Sequence, residues 1–244
     1  KTMDNLRREL VANVSHDLRT PLATIQGYIE TILIKSDSLS EDERKKYVQT
    51  IFNSTERLKN LVAELFELSK LEARETNPVP EPFSLAELVQ DIQQKNTVIA
   101  EQKKIELSVK FPYDLPMVYA DIGMMEKVIQ NLLDNAIKFT SENGKVLVKL
   151  SPEQEMILVE IQDTGRGISE AELPYIFDRY QRNHRSAQKE NEGLGLGLAI
   201  VRRILEVHNL DIKVRSAEDK GTIFSFKIPV YKSSSKVSKE VEYK

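Results

Sequence analysis

The segment YVQTIFNSTERLKNLVAELFEL, residues 47–68, carries the clearest structural pattern in the chain. Its seam residues follow one another in alternating steps of four and three positions: Tyr47, Ile51, Ser54, Leu58, Leu61, Leu65 and Leu68. This heptad-like spacing places one stripe of mostly apolar side chains along a helix and is typical of coiled coils and four-helix bundles. The pattern predicts a long amphipathic helix whose seam packs against other helices.

A similar apolar stripe precedes this segment and consists of Val11, Val14, Leu18, Ile25, Ile29 and Ile32. Between the two stripes, residues 36–43 (SDSLSEDE) are polar, and Ser40 followed by Glu43 has the spacing of a capping box. The first 75 residues are therefore predicted to form a helical hairpin. Because two helices alone bury little apolar surface, we expect two chains to pair as a dimeric four-helix bundle.

The segment ETNPVPEPF, residues 75–83, holds three prolines and is predicted to end the second helix. Beyond it, helices are predicted from Ser84 to about Glu101, from Asp121 to about Phe139 and over about 196–208, with strands at 105–111, 145–150, 156–162, 211–216 and 222–228. Such interspersed elements predict a two-layer α/β sandwich with a mixed sheet. We expect a hairpin domain (1–75), a linker (76–82), an α/β domain (83–230) and a disordered tail (231–244).

Composition excludes several classes of protein. The 244 residues are 40% hydrophobic, and 35 Lys+Arg against 38 Asp+Glu give a net charge of −3, which indicates a soluble globular protein without a basic nucleic-acid surface. The absence of cysteine excludes disulfides, thiolate metal sites and cysteine nucleophiles. No stretch approaches the ~18–20 consecutive apolar residues of a membrane helix. We expect a cytoplasmic portion of a longer protein, whose N-terminal segments could hold a membrane anchor.

The predicted helix from Asp121 carries a polar stripe opposite its apolar face. Asn131, Asn135 and Lys138 stand at positions i, i+4 and i+7. Amide oxygens are hard ligands that Mg²⁺ accepts, and a lysine ammonium suits phosphate oxygens. The stripe therefore indicates a nucleotide site, with an ordinary solvated helix face as the alternative.

Two glycine-containing segments also suit a nucleotide. DTGRGI (163–168) follows a strand, and the Asp163 carboxylate could accept a hydrogen bond from an exocyclic amine such as that of adenine; a simple turn is the alternative. GLGLGLAI (193–200) precedes a helix, where backbone N–H groups and the helix dipole favour phosphates. Its G-x-G-x-G spacing does not match the dinucleotide-binding fingerprint. Gly221 and Thr222 open the last strand and offer a small hydroxyl.

Taken in order, these motifs resemble the successive boxes of sensor histidine kinases. The matching stretches are SHDLRTPL (15–22), NLLDNAIKF (131–139), DTGRGI (163–168), IFDRY (176–180), GLGLGLAI (193–200) and the terminal Gly221-Thr222. The resemblance extends from about residue 5 to about residue 230. It covers nearly the whole chain, and its first stretch resembles the family's phosphoacceptor box.

The resemblance implies an activity. The γ-phosphoryl group of ATP is expected to pass to His16 and then to an aspartate of a response-regulator receiver domain, with Mg²⁺ as cofactor. Asp17 can hold one imidazole N–H or take its proton. Thr20 stands where relatives use a hydroxyl or amide to orient water for response-regulator dephosphorylation. The resemblance also implies a homodimer through the hairpin and a parent protein anchored in the bacterial cell membrane.

The resemblance assigns nucleotide contacts as well. Asn135 is expected to ligate Mg²⁺ with help from Asn131, Lys138 to contact phosphate, and Asp163 to read the adenine amine. The remaining expected contacts shape the adenine pocket (Gly165, Gly167, Ile168), approach the phosphates or nucleotide (Arg182, Thr222), or form the lid (Gly193, Gly195, Leu196, Gly197, Leu198). Many relatives stack a tyrosine on adenine at the position of Gln181, and Tyr180 could partly replace it.

Two other functions are compatible with parts of the sequence. The nucleotide-binding boxes also resemble those of heat-shock chaperone and type II topoisomerase ATPases, which place a glutamate four residues before the metal-binding asparagine to activate water. This chain has Asn131 there, which cannot act as such a base, so transfer is favoured over hydrolysis. A dimeric scaffold that only binds nucleotide or a regulator is the second alternative.

Overall fold

The computed structural model describes residues 2–36, 38–73, 77–178 and 195–232, with side chains at every position of these ranges except 2–14, 16 and 72. Contacts divide the chain into two compact units, Lys1–Asn77 with Ser169–Val207, and Pro78–Ile168 with His208–Lys244. The helices and strands are α1 (Thr2–Ile34), α2 (Glu41–Glu72), β1 (Glu81–Phe83), α3 (Leu85–Gln102), β2 (Glu106–Lys110), β3 (Val118–Ala120), α4 (Ile122–Phe139), β4 (Lys145–Glu153), β5 (Met156–Asp163), α5 (Gly197–Val207), β6 (Ile212–Ser216) and β7 (Thr222–Pro229). They confirm every helix and strand predicted from the sequence.

In the first unit, α1 and α2 form the predicted hairpin. The capping box at its turn is confirmed, because the Glu43 N–H donates to Ser40 Oγ at 3.3 Å and the Ser40 N–H donates to the Glu43 carboxylate at 3.0 Å. Although α1 has 33 residues and α2 has 32, none of the helices in the described ranges is both long and apolar enough to cross a bilayer.

The predicted seam of α2 lies against neighbouring structure along its whole length. Leu61 and Leu68 are buried, and the other five seam residues are half-buried. At the turn end of the hairpin, the ring of Tyr47 lies 5.0 Å from that of Tyr28 on α1, in a tilted aromatic contact. The heptad-like spacing therefore identified the inward side of α2 correctly.

The C-terminal end of α2 is capped from α5, which belongs to the same unit. Arg203 Nε donates to the carbonyl oxygen of Leu71 at 3.0 Å, and Leu71 itself is buried. This carbonyl is one of the last four of α2, which have no partner within the helix. A cation at a helix C-terminus also interacts favourably with the helix dipole. Arg203 thereby stabilises the end of the hairpin.

The second unit contains the predicted mixed sheet. Its strand order is β2-β4-β5-β7-β6, in which β2 runs parallel to β4 and every other neighbouring pair is antiparallel. One face of the sheet is covered by apolar side chains that are almost fully buried: Val146, Val148, Leu150, Ile157, Val159, Ile161, Phe224, Phe226 and Ile228. The apolar face of α4 is equally buried from Met125 to Ile137, whereas Ile122 in its first turn is 38% exposed.

The sequence did not predict strands β1 and β3. They pair with each other in a separate antiparallel ribbon, in which Pro82 stands opposite Tyr119. Each strand has only three residues, which is too short to show an alternating pattern, and prolines made the first one resemble a linker. Phe83 and Val118 are buried, so the ribbon contributes to the core.

Candidate functional site

Helix α4, which carries the predicted polar stripe, begins at a network around Asp121. Its carboxylate accepts the Met124 N–H at 3.0 Å, as an N-cap, and the Val79 N–H at 2.9 Å. The Asp121 N–H in turn donates to His208 Nε2 at 3.2 Å. Burial alone would raise the pKa of Asp121, but the two N–H donors and the neighbouring His208 hold it below its ordinary value. The start of α4 is therefore fixed by long-range contacts.

A buried amide pair fixes the middle of α4. Asn96 on α3 is 3% exposed and exchanges two hydrogen bonds with Gln130, at 3.1 and 3.2 Å. Buried polar groups are costly unless they are hydrogen-bonded, so this reciprocal pair favours one register between the two helices. Gln130 directly precedes Asn131, the first residue of the polar stripe.

The two asparagines of the stripe are half-buried and lie one helical turn apart. The side-chain nitrogen of Asn131 donates to the carbonyl oxygen of Lys127 at 2.9 Å, which leaves its amide oxygen as an acceptor. Among the described residues, none forms a hydrogen bond with the Asn135 side-chain amide. Because a half-buried amide without a hydrogen bond is energetically unfavourable, binding of a ligand there would be stabilising. Two hard oxygen donors one turn apart fit Mg²⁺.

A metal ion at this position needs further ligands. The part of the chain that the structure describes contains no cluster of three or more His, Asp or Glu side chains able to hold a metal ion. Mg²⁺ in nucleotide sites is commonly held by one or two protein ligands together with phosphate oxygens and water. The donor set therefore fits an ion that arrives with a nucleotide.

The carboxylate of Asp163 is held in one orientation at the end of β5. Its Oδ1 accepts the N–H of Gly165 at 2.8 Å and the N–H of Thr222 at 3.2 Å. Among the described residues none donates to Oδ2, so this oxygen is available to a ligand. Burial raises the pKa of Asp163 above its ordinary value, and the two N–H donors offset part of that rise. This is the environment of a pre-organised acceptor.

The glycines of this region let backbone segments of the protein approach one another. A Cβ on Gly165 would overlap the carbonyl oxygen of Phe139, and one on Gly167 would overlap that of Ala217. Gly167 also has φ +68°, a conformation that residues with side chains rarely adopt. These contacts lie within the protein, and the expected role of the two glycines in shaping an adenine pocket stays a prediction.

The buried hydroxyl of Thr222 contacts the protein. Its Oγ1 lies 3.0 Å from the hydroxyl of Ser216, which also donates to the carbonyl oxygen of Gly221 at 2.7 Å and accepts the Ile168 N–H at 2.9 Å. Sequence reasoning missed Ser216. The signal lies in the register of β6 and β7, where Ser216 stands opposite Thr222.

The structure shows only part of the predicted phosphoacceptor box. His16 lies on α1, and its side chain is outside the described positions, so its expected role as phosphoacceptor stays a prediction. Asp17 is 8% exposed, which is unusual for a carboxylate and implies that it is partnered. Thr20 is exposed, and its carbonyl oxygen accepts the Thr24 hydroxyl at 3.1 Å.

The predicted lid is described only at its C-terminal end. Gly195 has φ +69°, and Leu196 is fully buried. The Leu196 carbonyl accepts the Ile200 N–H at 2.9 Å, the first hydrogen bond of α5. Gly197 begins the helix and Leu198 is half-buried. Three other predicted contact residues lie outside the described residues: Tyr180, Arg182 and Gly193.

Comparison with known families gives two matches. Residues 6–74 match the His Kinase A (phospho-acceptor) domain, and residues 120–232 match the Histidine kinase-, DNA gyrase B-, and HSP90-like ATPase. The two matches follow one another along the chain in the same order as the predicted hairpin and the predicted α/β sandwich.

Curated relatives and solved structures agree with these matches. Sensor protein KdpD of Clostridium acetobutylicum is 36% identical over 93% of the chain and 25% of its own length, and sensor protein SrrB of Staphylococcus aureus is 31% identical over 93% of the chain and 39% of its own length. The structure of the Acinetobacter baumannii histidine kinase AdeS matches 89% of the chain and 98% of its own chain, with 25% identity and a TM-score of 0.70. Histidine kinase ThkA, solved with the response regulator TrrA, matches 95% of the chain and 64% of its own chain, with 26% identity and a TM-score of 0.73.

The chain spans between 25% and 39% of the length of these curated relatives. The shared part is the region that holds the phosphoacceptor hairpin and the ATPase-like domain. The two family matches occur in this order, the sheet is mixed, and the similarity to sensor kinases extends along nearly the whole chain. The chain therefore belongs to the two-component sensor histidine kinases, whose catalytic portion it represents.

Proposed function

We propose that this chain binds ATP with Mg²⁺, transfers the γ-phosphoryl group to His16 and passes it to an aspartate of a response-regulator receiver domain. The observation that carries the proposal is the Asp163 carboxylate, because two backbone donors hold one of its oxygens and leave the other for an adenine amine. Titration calorimetry with ATP tests the binding step directly. Unchanged ATP affinity in Asp163→Asn would contradict it.

The nucleotide contacts follow from the donors on α4 and β5. Asn135 and Asn131 would hold Mg²⁺ through their amide oxygens, Lys138 would contact phosphate, and Asp163 would accept from the adenine amine. When bound, Mg²⁺ neutralises charge on the phosphate oxygens. The remaining contacts are proposed from family resemblance: Gly165, Gly167, Ile168, Tyr180, Arg182, Gly193, Gly195, Leu196, Gly197, Leu198 and Thr222.

The transfer itself is an in-line displacement at the γ-phosphorus. A neutral nitrogen of the His16 imidazole forms the N–P bond, while the bond from that phosphorus to the β–γ bridging oxygen breaks and ADP leaves. Asp17 holds the proton on the other ring nitrogen or accepts it as the ring becomes cationic. In the second step a carboxylate oxygen of the receiver aspartate attacks the phosphorus and the N–P bond breaks, which restores the imidazole.

Radiolabel from γ-³²P-ATP tests the acceptor. We expect acid-labile, base-stable label in the parent chain and none in His16→Gln. The matched control is His208→Gln, because glutamine supplies a side-chain oxygen that can accept the Asp121 N–H where His208 Nε2 does now. Label that persists in His16→Gln would refute the acceptor assignment. Equal loss of label in both variants would indicate damaged folding, which thermal unfolding of the two variants would detect.

We propose homodimerisation through the hairpin. Large apolar side chains stay exposed on both of its helices: Leu22, Ile29 and Leu33 on α1, and Val48, Phe52, Val62 and Phe66 on α2. Phe52 is 59% exposed and Phe66 is 65% exposed, so a second hairpin has apolar surface to cover. Light scattering should give a dimer for the parent chain and a monomer for Phe52→Glu. A dimer of unchanged affinity in that variant would contradict this interface.

We also propose a response-regulator phosphatase activity that depends on Thr20, which lies one turn after His16 on α1 and is exposed. Thr20→Ala is expected to keep autophosphorylation and to lose stimulated dephosphorylation of the regulator. Thr24→Ala is the matched control, one turn further on, because the Thr24 hydroxyl donates to the backbone carbonyl of Thr20. Equal dephosphorylation by both variants would refute the role of Thr20.

For the whole protein we propose attachment to the bacterial cell membrane through segments that precede this chain, with the part described here on the cytoplasmic side. Support comes from similarity to the sensor proteins KdpD and SrrB, of which this chain covers a minor part. Cell fractionation of the full-length protein and of this chain tests the proposal. Full-length protein found only in the cytosol would contradict it.

A further inference from the structure

Two cationic side chains contact the same aromatic ring at the end of α4. The ammonium nitrogen of Lys138 lies 4.8 Å from the centre of the Phe139 ring, and the guanidinium carbon of Arg166 lies 4.5 Å from it. Both distances are within the range of cation–π attraction. Arg166 belongs to the DTGRGI turn and has no role in the proposed function.

The backbone of Phe139 also contacts this turn. Its carbonyl oxygen accepts the Arg166 N–H at 3.4 Å, and it lies so close to Gly165 that only glycine fits there. The neighbouring Gly165 N–H is a donor that orients Asp163. A short chain of contacts therefore joins the Asp163 carboxylate, through the turn and Phe139, to the Lys138 ammonium.

These contacts restrict the position of the Lys138 side chain. A lysine side chain has four carbon–carbon bonds about which it rotates, and holding its ammonium at one place costs conformational entropy. Contact with the Phe139 ring restricts those rotations before any ligand binds. Arg166, with its planar group against the same ring and its N–H on the same residue, restricts the ring.

We propose that Arg166 is a positioning residue for the phosphates of the nucleotide. Through the Phe139 ring it sets where the Lys138 ammonium lies relative to the Asp163 carboxylate, and hence the spacing between phosphate and adenine that the site accepts. The inference rests on the proposed function, in which Lys138 contacts phosphate and Asp163 reads adenine.

The test measures binding of ADP and of adenosine to the whole chain, by calorimetry and by competition. Arg166→Gln is expected to weaken ADP binding about fivefold while adenosine binding changes less than about twofold. Phe139→Leu, which keeps both cations and removes the ring, should reproduce this selective loss. Lys227→Gln is the control for charge, since it removes one cation toward the far end of β7, where Lys227 pairs with Glu153 at 2.7 Å.

A double-mutant cycle separates positioning from direct contact. If Arg166 acts through Lys138, Arg166→Gln adds no further loss of ADP affinity in a Lys138→Gln background. Fully additive losses would show that Arg166 acts on the phosphates by itself and would overturn the proposal, as would normal ADP binding in Phe139→Leu. Retained adenosine binding shows that the variants are folded. Failure of the proposed function looks different, because the parent chain itself would then not bind ADP.

Discussion

Replacement of Asp163 by asparagine changes the chemistry of the proposed adenine site and leaves its shape unchanged. The asparagine oxygen can still accept the N–H groups of Gly165 and Thr222, as Oδ1 does now at 2.8 and 3.2 Å. Its NH₂ group then takes the place of Oδ2 and faces the adenine amine, so two donors meet without an acceptor. A hydrogen bond to a charged group is worth about 1.5–3 kcal/mol. Because Asp163 is only half-buried, we expect a loss of about 2 kcal/mol, which is about 30-fold in ADP affinity.

Titration calorimetry with ADP and with IDP measures this effect. The hypoxanthine base of IDP carries an oxygen where adenine carries its amine, so the asparagine NH₂ group can donate to it. Asp163→Asn should therefore lose affinity for ADP and gain affinity for IDP relative to the parent chain. A variant that still prefers ADP as strongly as the parent chain does would refute the assignment of Asp163.

The raised pKa of Asp163 adds a dependence on pH. In the proposed site the adenine amine donates to the ionised carboxylate, so below the raised pKa a proton must be released before the nucleotide binds, and ADP affinity is expected to fall by up to tenfold per pH unit. Because the folded-state pKa is raised, ionisation of Asp163 opposes folding fully at pH values above it, and this cost declines as pH falls below the folded-state pKa until it is gone below the lower, unfolded-state pKa. Asp163→Asn should thus be no less stable than the parent chain at neutral pH. The prediction would be contradicted if the ADP affinity of the parent chain did not change as pH falls through the raised pKa of Asp163.

Two further predictions concern stability and are read from thermal and urea unfolding. Gly167→Ala should destabilise the protein by more than about 2 kcal/mol, because Gly167 has a positive φ and lies against neighbouring backbone. Gly27→Ala should instead stabilise α1 by about 1 kcal/mol, because an added Cβ there meets nothing within 4 Å. Equal effects of the two substitutions on the free energy of unfolding would contradict the reasoning. Arg203→Met should lower the free energy of unfolding by about 1 kcal/mol, because the hydrogen bond to the Leu71 carbonyl is lost. Arg202 is more exposed, so Arg202→Met should lower it by less. The reverse order would show that the hydrogen bond to Leu71 contributes little.

The parts of the fold that the sequence predicted are those with a local period. The buried face of α4 repeats with the helical period from Met125 to Ile137, and the strands of the sheet alternate over five or more residues. The capping residues Ser40, Ser84 and Asp121 then marked where helices begin. Each of these signals depends on residues close in sequence, so no knowledge of the tertiary fold was needed to read them.

The contacts that shape the candidate site were not predictable in this way. Ser216 contacts Thr222 only because β6 and β7 pair in one register. Gly165 is constrained by Phe139, which is 26 positions earlier in the chain. Motif spacing identified Asp163, but the two donors that orient its carboxylate come from different strands and turns. Such residues are determined by tertiary packing, which composition and periodicity do not encode.

The match to residues 120–232 groups histidine kinases with gyrase- and HSP90-like ATPases, so this match alone does not separate transfer to a side chain from transfer to water. Asn131 does separate them. Its nitrogen is engaged with the Lys127 carbonyl, and the oxygen that remains is an amide oxygen, which is too weak a base to deprotonate water. Water needs such a base to attack phosphorus, whereas a neutral imidazole already carries the lone pair that attacks. In the proposed function, an amide at residue 131 therefore disfavours hydrolysis more than it disfavours transfer to His16, because the imidazole needs no such base.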